Sequence, residues 1–432
     1  FNQECERTSN KRTPVMNFAA AFGLCTTLAA NKLRYNRTWP NSYIVSLAPS
    51  GAGKNNPQSL IKLILSQAVD GQKLMGASNY ASARAFIGYL AVKRERLDNI
   101  DEATELYAKM KDCKPSSPFF GMKEGFLRMY SDSSTVMSEI AAQTAGAKIP
   151  TIHNPCVSVL ASGVTNAFYP NLSGDLIQQG FLARWFTFMN PAEIALSDEL
   201  AGLPFGYGEA AADTYIKKEL IDAVEIWTTR KVKQAFEVPT PDGASWAVDA
   251  ENITYDKNLI FPLSIEINRE LKRLEKRAQD AGHLSAPSYA RAFEQMNKLM
   301  LAYCVSQQTR EITPQIMRWA YDLWSAQFNF VRAELESQTF LSDHTDVTQV
   351  EKKFNEFAKE LKRRNSAVAT VSVDHRALCY RQFMRDLKTT AARNMFLDAK
   401  QKAGYIRQVM PAHEREKGAR KQVVFYLDEF ED

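Results

Sequence analysis

The eight residues A-P-S-G-A-G-K-N, numbered 48–55, stand close to the phosphate-cradling pattern G-x-x-x-x-G-K-[ST]. The chemistry explains the residue types. Gly51 and Gly53 let the loop (Pro49, Ser50, Gly51, Ala52, Gly53) turn so that its backbone N–H groups, which every residue but Pro49 supplies, face phosphate oxygens. Lys54 would set a positive charge against β and γ phosphates, and a helix beginning here would add its N-terminal partial charge. Two positions depart from the pattern. Ala48 replaces the first glycine, and Asn55 replaces the hydroxyl that normally touches Mg²⁺. An amide oxygen is also a Mg²⁺ ligand. The same residues would equally make an ordinary glycine turn with a solvated lysine.

Three further groups carry polar chemistry in the order that phosphate-bond hydrolysis needs. Asp101 and Glu102 follow Leu97 and Ile100, so one carboxylate can hold a metal and the other can polarise water. Acid pairs also decorate solvated helix faces. The apolar run CVSVLASGVTN ends in Ser162, Thr165 and Asn166, placed to orient that water or simply to cap a turn. Arg184, in QQGFLARWFTF, would neutralise developing charge on a γ-phosphate, or lie at a helix end as a surface arginine.

These residues need strands and helices to hold them. Residues 14–34 read as a helix. SYIVSLA (42–48) reads as a buried strand and SLIKLILSQAV (59–69) has helical spacing, so the loop sits in a strand–loop–helix unit. The strand before Asp101 is weak, because Asp98 and Asn99 interrupt it. Residues 156–166 and 181–190 read as further strands. Strands alternating with helices predict a parallel α/β core. From about 206 the pattern becomes helical: 213–231, 264–281, 286–308 and 313–337, with short strands in 235–262. A polar linker is expected at 341–349.

With these elements in order, the chain resembles an AAA+-type ATPase. It is most similar to the helicase-like domains of phage, plasmid and satellite replication proteins, often joined to a primase. Superfamily 3 and minichromosome maintenance helicases share part of the pattern. GASNYASARAFIGYL (76–90) also resembles that family, whose members often carry Asn or Asp after the P-loop lysine. The resemblance covers roughly 10–340. It implies ATP and Mg²⁺ as cofactors, Lys54 as the P-loop lysine, and Asp101 and Glu102 as the Walker B acids. Asn166 would be the first sensor and Arg184 a finger acting on a neighbouring subunit. Arg291 would be a second sensor on a lid helix. Lys148 would touch DNA from a hairpin, with Lys123 and Arg128 as reserves. A homo-hexameric ring is implied.

Residues 350–432 follow the order helix, short strand, helix, helix, strand, charged turn, strand, which is winged-helix order. Between 371 and 427 twelve lysines and arginines face five carboxylates, a net of +7. Arg393, Lys400, Lys402, Arg407, Lys417 and Arg420 are the candidate phosphate contacts. Winged helices also serve as protein-interaction modules. The tail DEFED (428–432) is acidic and would repel DNA.

The whole chain of 432 residues carries only +5, with 45% hydrophobic and 24% charged residues. That usage excludes a disordered, collagenous or purely coiled-coil chain. Its six cysteines are scattered with no C-x-x-C pair, which predicts reduced thiols and neither a zinc site nor a disulfide framework. The five histidines are scattered too. The apolar run at 15–30 is short for a membrane span and reads as a buried helix. The chain starts at Phe1, which suggests a fragment.

The expected architecture is therefore an α/β P-loop AAA+-like core with a helical lid and a C-terminal winged helix. Its parts are an N-terminal helical segment (1–40), the core (41–205), the lid (206–345) and the winged helix (346–432). The expected function is an ATP-dependent DNA helicase or translocase in phage or mobile-element replication, working on single-stranded or forked DNA in the bacterial host cytoplasm. A nucleotide-gated replication initiator or helicase loader with little turnover is the alternative. An anti-phage defence ATPase on the same chassis stands third.

Overall fold

A computed structural model describes residues 1–8, 13–111, 113–137, 140–141, 148–149, 151–172, 176–177, 180–189, 216–232, 234–240, 243–280, 283, 285–342, 347–364, 370–374, 378, 381, 397, 400–401, 405–409 and 422–426. Two compact units divide the chain, Phe1–Leu335 and Glu336–Asp432.

In the first unit the helices α1 (Asn2–Thr8) and α2 (Pro14–Leu28) lead into strand β1 (Tyr43–Ala48) and helix α3 (Asn55–Gln67). Next come α4 (Ala83–Val92), β2 (Glu95–Ile100), α5 (Ala103–Met110) and α6 (Met122–Ser131). Strand β3 (Cys156–Val164) runs into the single turn α7 (Thr165–Phe168), and a 3₁₀ turn at Leu182–Arg184 opens β4 (Trp185–Met189). Strands β1 to β4 form one parallel sheet in the order β2-β3-β1-β4. The expected parallel α/β core is thus present.

The sheet is buried on both faces, which is why YIVSLA and CVSVLAS read as unbroken apolar runs. Successive side chains alternate between faces. Phe186 and Phe188 meet Phe22 of α2, with ring centroids at 4.8 and 6.2 Å. Tyr43 and its register partner Trp185 point the other way. There Tyr43 packs on Phe126 and Tyr130 of α6 at 5.6 and 5.1 Å, and its hydroxyl donates to the Phe126 carbonyl. The helix expected at 14–34 ends at Leu28 because Leu33–Arg34 pairs in parallel with Glu251–Asn252.

Strand β2 holds polar residues in an apolar setting, and each finds a partner. Arg96 and Asp98 are fully buried and bonded to each other at 2.8 Å. Asp98 also accepts from the Ala77 N–H at 2.7 Å and from the Tyr80 hydroxyl. The Gly76 and Asn99 N–H groups complete a short pairing with Leu97 and Ala77 carbonyls, so 75–77 covers the free edge of β2. A Cβ on Gly76 would stand 2.2 Å from the Asp98 carboxylate, so only glycine fits there.

Helix α8 (Lys218–Thr228) precedes an antiparallel hairpin of β5 (Gln234–Thr240) and β6 (Gly243–Val248). Three long helices follow: α9 (Lys257–Asp280), α10 (Ala286–Ser306) and α11 (Pro314–Ser342). Helix α9 starts seven residues before its expected position and contains Pro262. The N-terminal helices, the α/β sheet and this helical block share one hydrophobic core rather than forming three separate ones.

The second unit contains helix α12 (Val347–Arg364) and strands β7 (Thr370–Asp374), β8 (Ile406–Val409) and β9 (Gln422–Tyr426). The strands form an antiparallel sheet in the order β7-β9-β8. Phe354, Ala358, Leu378, Leu397, Ile406, Val423 and Phe425 make its core. Most of the helices expected at 374–385 and 389–404 lie outside the described residues.

Candidate functional site

Because β1 to β4 are parallel, their carboxyl ends share one edge, where open α/β sheets bind ligands. Strand β1 delivers the loop 49–54 to that edge. Gly51 and Gly53 both have positive φ, 76° and 79°, a turn that residues with a Cβ resist. The chain then enters α3 with Lys54 at the N-cap. Strand β2 delivers Asp101 and Glu102, and β3 delivers Thr165 and Asn166 in the first turn of α7.

The side chains converge. Lys54 Nζ lies 3.5 Å from Glu102 Oε1, and Asn55 Nδ2 lies 3.4 Å from Asp101 Oδ2. Lys54 is 12% exposed and Glu102 46%, so the pair opens to solvent from a partly covered lysine. Helix α3 is fixed against β2 by a reciprocal pair: Gln58 donates to the Ile100 carbonyl and Asn99 donates to the Gln58 carbonyl. That exchange sets the distance between the loop and the acids. Ser162, fully buried at the end of β3, donates to the main-chain oxygen of Asp101 and lies 3.4 Å from its Oδ1. It is the residue of β3 that demonstrably touches the acid pair. For Asn166 only the backbone is described, in α7.

The N-terminal helices close one side of the loop. Asn56 donates to the Cys5 carbonyl and the Thr8 hydroxyl at 3.2 and 3.3 Å. Met16 packs with Ala48 and Ala52. Chemically, the edge offers a lysine, a glycine turn and a thirteen-residue helix N-terminus to an anion, with two carboxylates within reach of a cation. Among the described residues no group of three or more His, Cys, Asp or Glu gathers as a metal centre. Mg²⁺ does not require one, since it binds through one or two carboxylates with substrate phosphates and water. Asp101, Glu102 and the Asn55 amide are oxygen donors of that kind.

Compared with known proteins, the chain matches no family model and no curated protein.

Arg184 and Arg291 lie elsewhere. Trp185 pairs with Tyr43, at the start of β1, so Arg184 stands at the amino edge of the sheet. The length of β1 separates it from the loop by about 20 Å, at roughly 3.3 Å per residue. Its Nη1 donates to the Gly180 carbonyl at 2.8 Å and its guanidinium faces the Tyr130 ring at 5.9 Å. Burial, and then the charge of Arg291, lower its pKa. Arg291 pairs with Glu294 at 2.7 Å beside Arg184. Arg291, the residue expected as a second sensor on a lid helix, lies at the edge opposite the loop, because α10 docks by Gln295 and Lys298 on the amino ends of β4 and β1. Gln295 donates to Ala183 and Trp185, and Lys298 to Asn41.

The candidate DNA contacts are scattered. Lys148 belongs to the short hairpin that pairs Ile140–Ala141 with Lys148–Ile149. Lys123, paired with Glu124 at 3.6 Å, and Arg128 lie on α6. In the second unit Arg407 is exposed on β8. Lys400 is only 8% exposed, with its ammonium over the rings of Phe354 and Tyr405 at 5.8 and 5.2 Å. These ring contacts hold Lys400, one of the expected phosphate contacts, against the core of the second unit. Arg393, Lys402, Lys417 and Arg420 lie outside the described residues. No described helix is long and apolar enough to cross a membrane.

Proposed function

We propose that this chain is an ATP-driven DNA translocase of the AAA+ type, a replicative helicase of a phage or other mobile element. The convergence of Lys54, Asn55, Asp101 and Glu102 at the carboxyl edge of a parallel sheet carries the reading. In it, the loop N–H groups and Lys54 bind the triphosphate. Asp101 and the Asn55 amide oxygen would hold Mg²⁺, which would supply positive charge against the phosphates. Glu102 takes the proton of the attacking water as its oxygen bonds to the γ-phosphorus. The bond to the bridging oxygen breaks, and ADP and phosphate leave. Ser162 orients Asp101, and Asn166 keeps its expected role of first sensor.

Arg184 lies too far from Lys54 to serve the site of its own chain. An arginine at the opposite edge suits a site completed by a neighbouring subunit, so the reading includes a homo-hexameric ring. The helix and three-stranded sheet of the second unit support a winged helix there. Its basic residues, Arg407 among them, would bind DNA phosphates. Partner primase or other replication proteins fit this role, as does a bacterial host cytoplasm.

One observation favours the slower alternative, an initiator or loader. Asn55 stands where a hydroxyl would hold the metal. Purified protein, Mg²⁺-ATP and forked DNA decide the matter. DNA-stimulated turnover with strand separation, both lost in Lys54→Ala, is expected. DNA and ATP binding without turnover would overturn the helicase reading in favour of the initiator.

A further inference from the structure

The residues on both sides of Arg184 are held by one side chain. Gln295, 5% exposed on α10, donates through Nε2 to the carbonyls of Ala183 and Trp185 at 3.1 and 3.3 Å. Its Oε1 accepts from the Trp324 indole N–H of α11 at 2.7 Å. Both amide hydrogens and the amide oxygen are therefore used, inside a core where an unmade bond is costly. One turn further on, Lys298 donates to the carbonyl and side chain of Asn41, just ahead of β1. Helix α10 thus grips the amino ends of the strand that carries the phosphate loop and the strand that follows Arg184.

We propose that Gln295 is a positioning residue: it fixes the Arg184 turn relative to the helical block, and so aims Arg184 at the site of the next subunit. This rests on the shared-site reading above. The geometry gives it content. The 3₁₀ turn at Leu182–Arg184 is short, and a single amide spans its end and the first residue of β4. Trp324 holds the amide from the other side. Met at 295 has nearly the same shape and cannot donate to either carbonyl, so the turn loses its register while the core stays filled.

The test is complementation between variants in mixed assemblies, read as ATP turnover per site. Gln295→Met alone is expected to turn over at least tenfold more slowly than wild type, with unchanged nucleotide affinity. Lys54→Ala subunits have a dead site of their own and an intact Arg184. Mixing them with Gln295→Met is expected to restore turnover above either variant alone. The control pair, Arg184→Ala with Lys54→Ala, should behave the same way. Trp324→Phe, which leaves both Gln295 donors in place, should lose less than threefold. If the control complements and Gln295→Met does not, the positioning role is wrong, because a generally damaged subunit cannot be rescued. Loss in Trp324→Phe equal to that in Gln295→Met also overturns it. If the control pair fails, the shared site itself has failed and the inference goes with it. Should Gln295→Met not fold, Gln295→Glu keeps the shape and the acceptor for Trp324 and is put through the same mixtures, with the same outcomes deciding.

Discussion

Lys54 and Glu102, 48 positions apart in sequence, face each other at 3.5 Å where β1 and β2 end. The lysine has one carboxylate before it and the glycine turn behind it, so in the proposed reading an incoming triphosphate would replace Glu102 as its counter-charge. Lys54→Ala removes that charge. It should weaken binding of a fluorescent ATP analogue by about 10- to 100-fold, the equivalent of one charge-assisted hydrogen bond of about 1.5–3 kcal/mol. Fluorescence titration in the presence of Mg²⁺ checks it. Unchanged affinity would move the phosphate site away from this loop.

Ser162 fixes Asp101 through two of its oxygens. Ser162→Ala leaves the sheet intact and frees the acid. Turnover should fall about tenfold while stability drops by about 1 kcal/mol, the ordinary worth of a hydrogen bond. Steady-state kinetics alongside urea denaturation separate the two effects. A loss of stability with full turnover would make Ser162 a purely structural residue.

Arg96 and Asp98 bury an ion pair in β2 with no exposure for either side chain. Asp98→Asn keeps the shape and strands the guanidinium, which should cost about 3–5 kcal/mol. Adding Arg96→Met should return part of that loss, since neither residue then carries a buried charge. Urea denaturation of the single and double variants measures it. Additive losses would show that the pair is not coupled.

Lys298 is fully buried among Glu294, Arg291, Arg184, Cys156 and the Tyr130 ring, and burial lowers its pKa from 10.5 to about 8. The folded form therefore releases this proton before the unfolded form does. Below about pH 8 both forms are protonated, and the buried charge opposes folding in full. The opposition fades as pH rises toward 10.5. Relative to Lys298→Met, wild type should gain about 3 kcal/mol of stability across that window. Paired denaturation curves from pH 7 to 10.5 test the slope, and a flat difference would contradict it.

Much of the sheet was legible because its strands are apolar on both faces. YIVSLA and CVSVLAS needed no tertiary information to read as buried strands, and the glycine loop between β1 and α3 followed. Strand β2 was harder. Its Asp98 and Asn99 look like interruptions until Arg96, Tyr80, Ala77 and Gln58, most of them distant in sequence, are seen to satisfy them. Helical spacing could place Arg291 on a helix but not say which strand ends that helix meets. That depended on Gln295 and Lys298, two polar residues in an apolar stripe. Ser162 stood out as a polar residue in an apolar strand. Its choice over its neighbours required the pairing of β3 with β2.

In the proposed reading Glu102 activates water at this edge. The most direct test is single-turnover release of phosphate from Mg²⁺-ATP by wild type and Glu102→Gln, with nucleotide affinity measured on the same samples. A general base contributes typically 10²- to 10⁴-fold. The expected result is cleavage at least about 100-fold slower in Glu102→Gln, with ATP still bound. Equal cleavage rates in the two proteins would contradict the account.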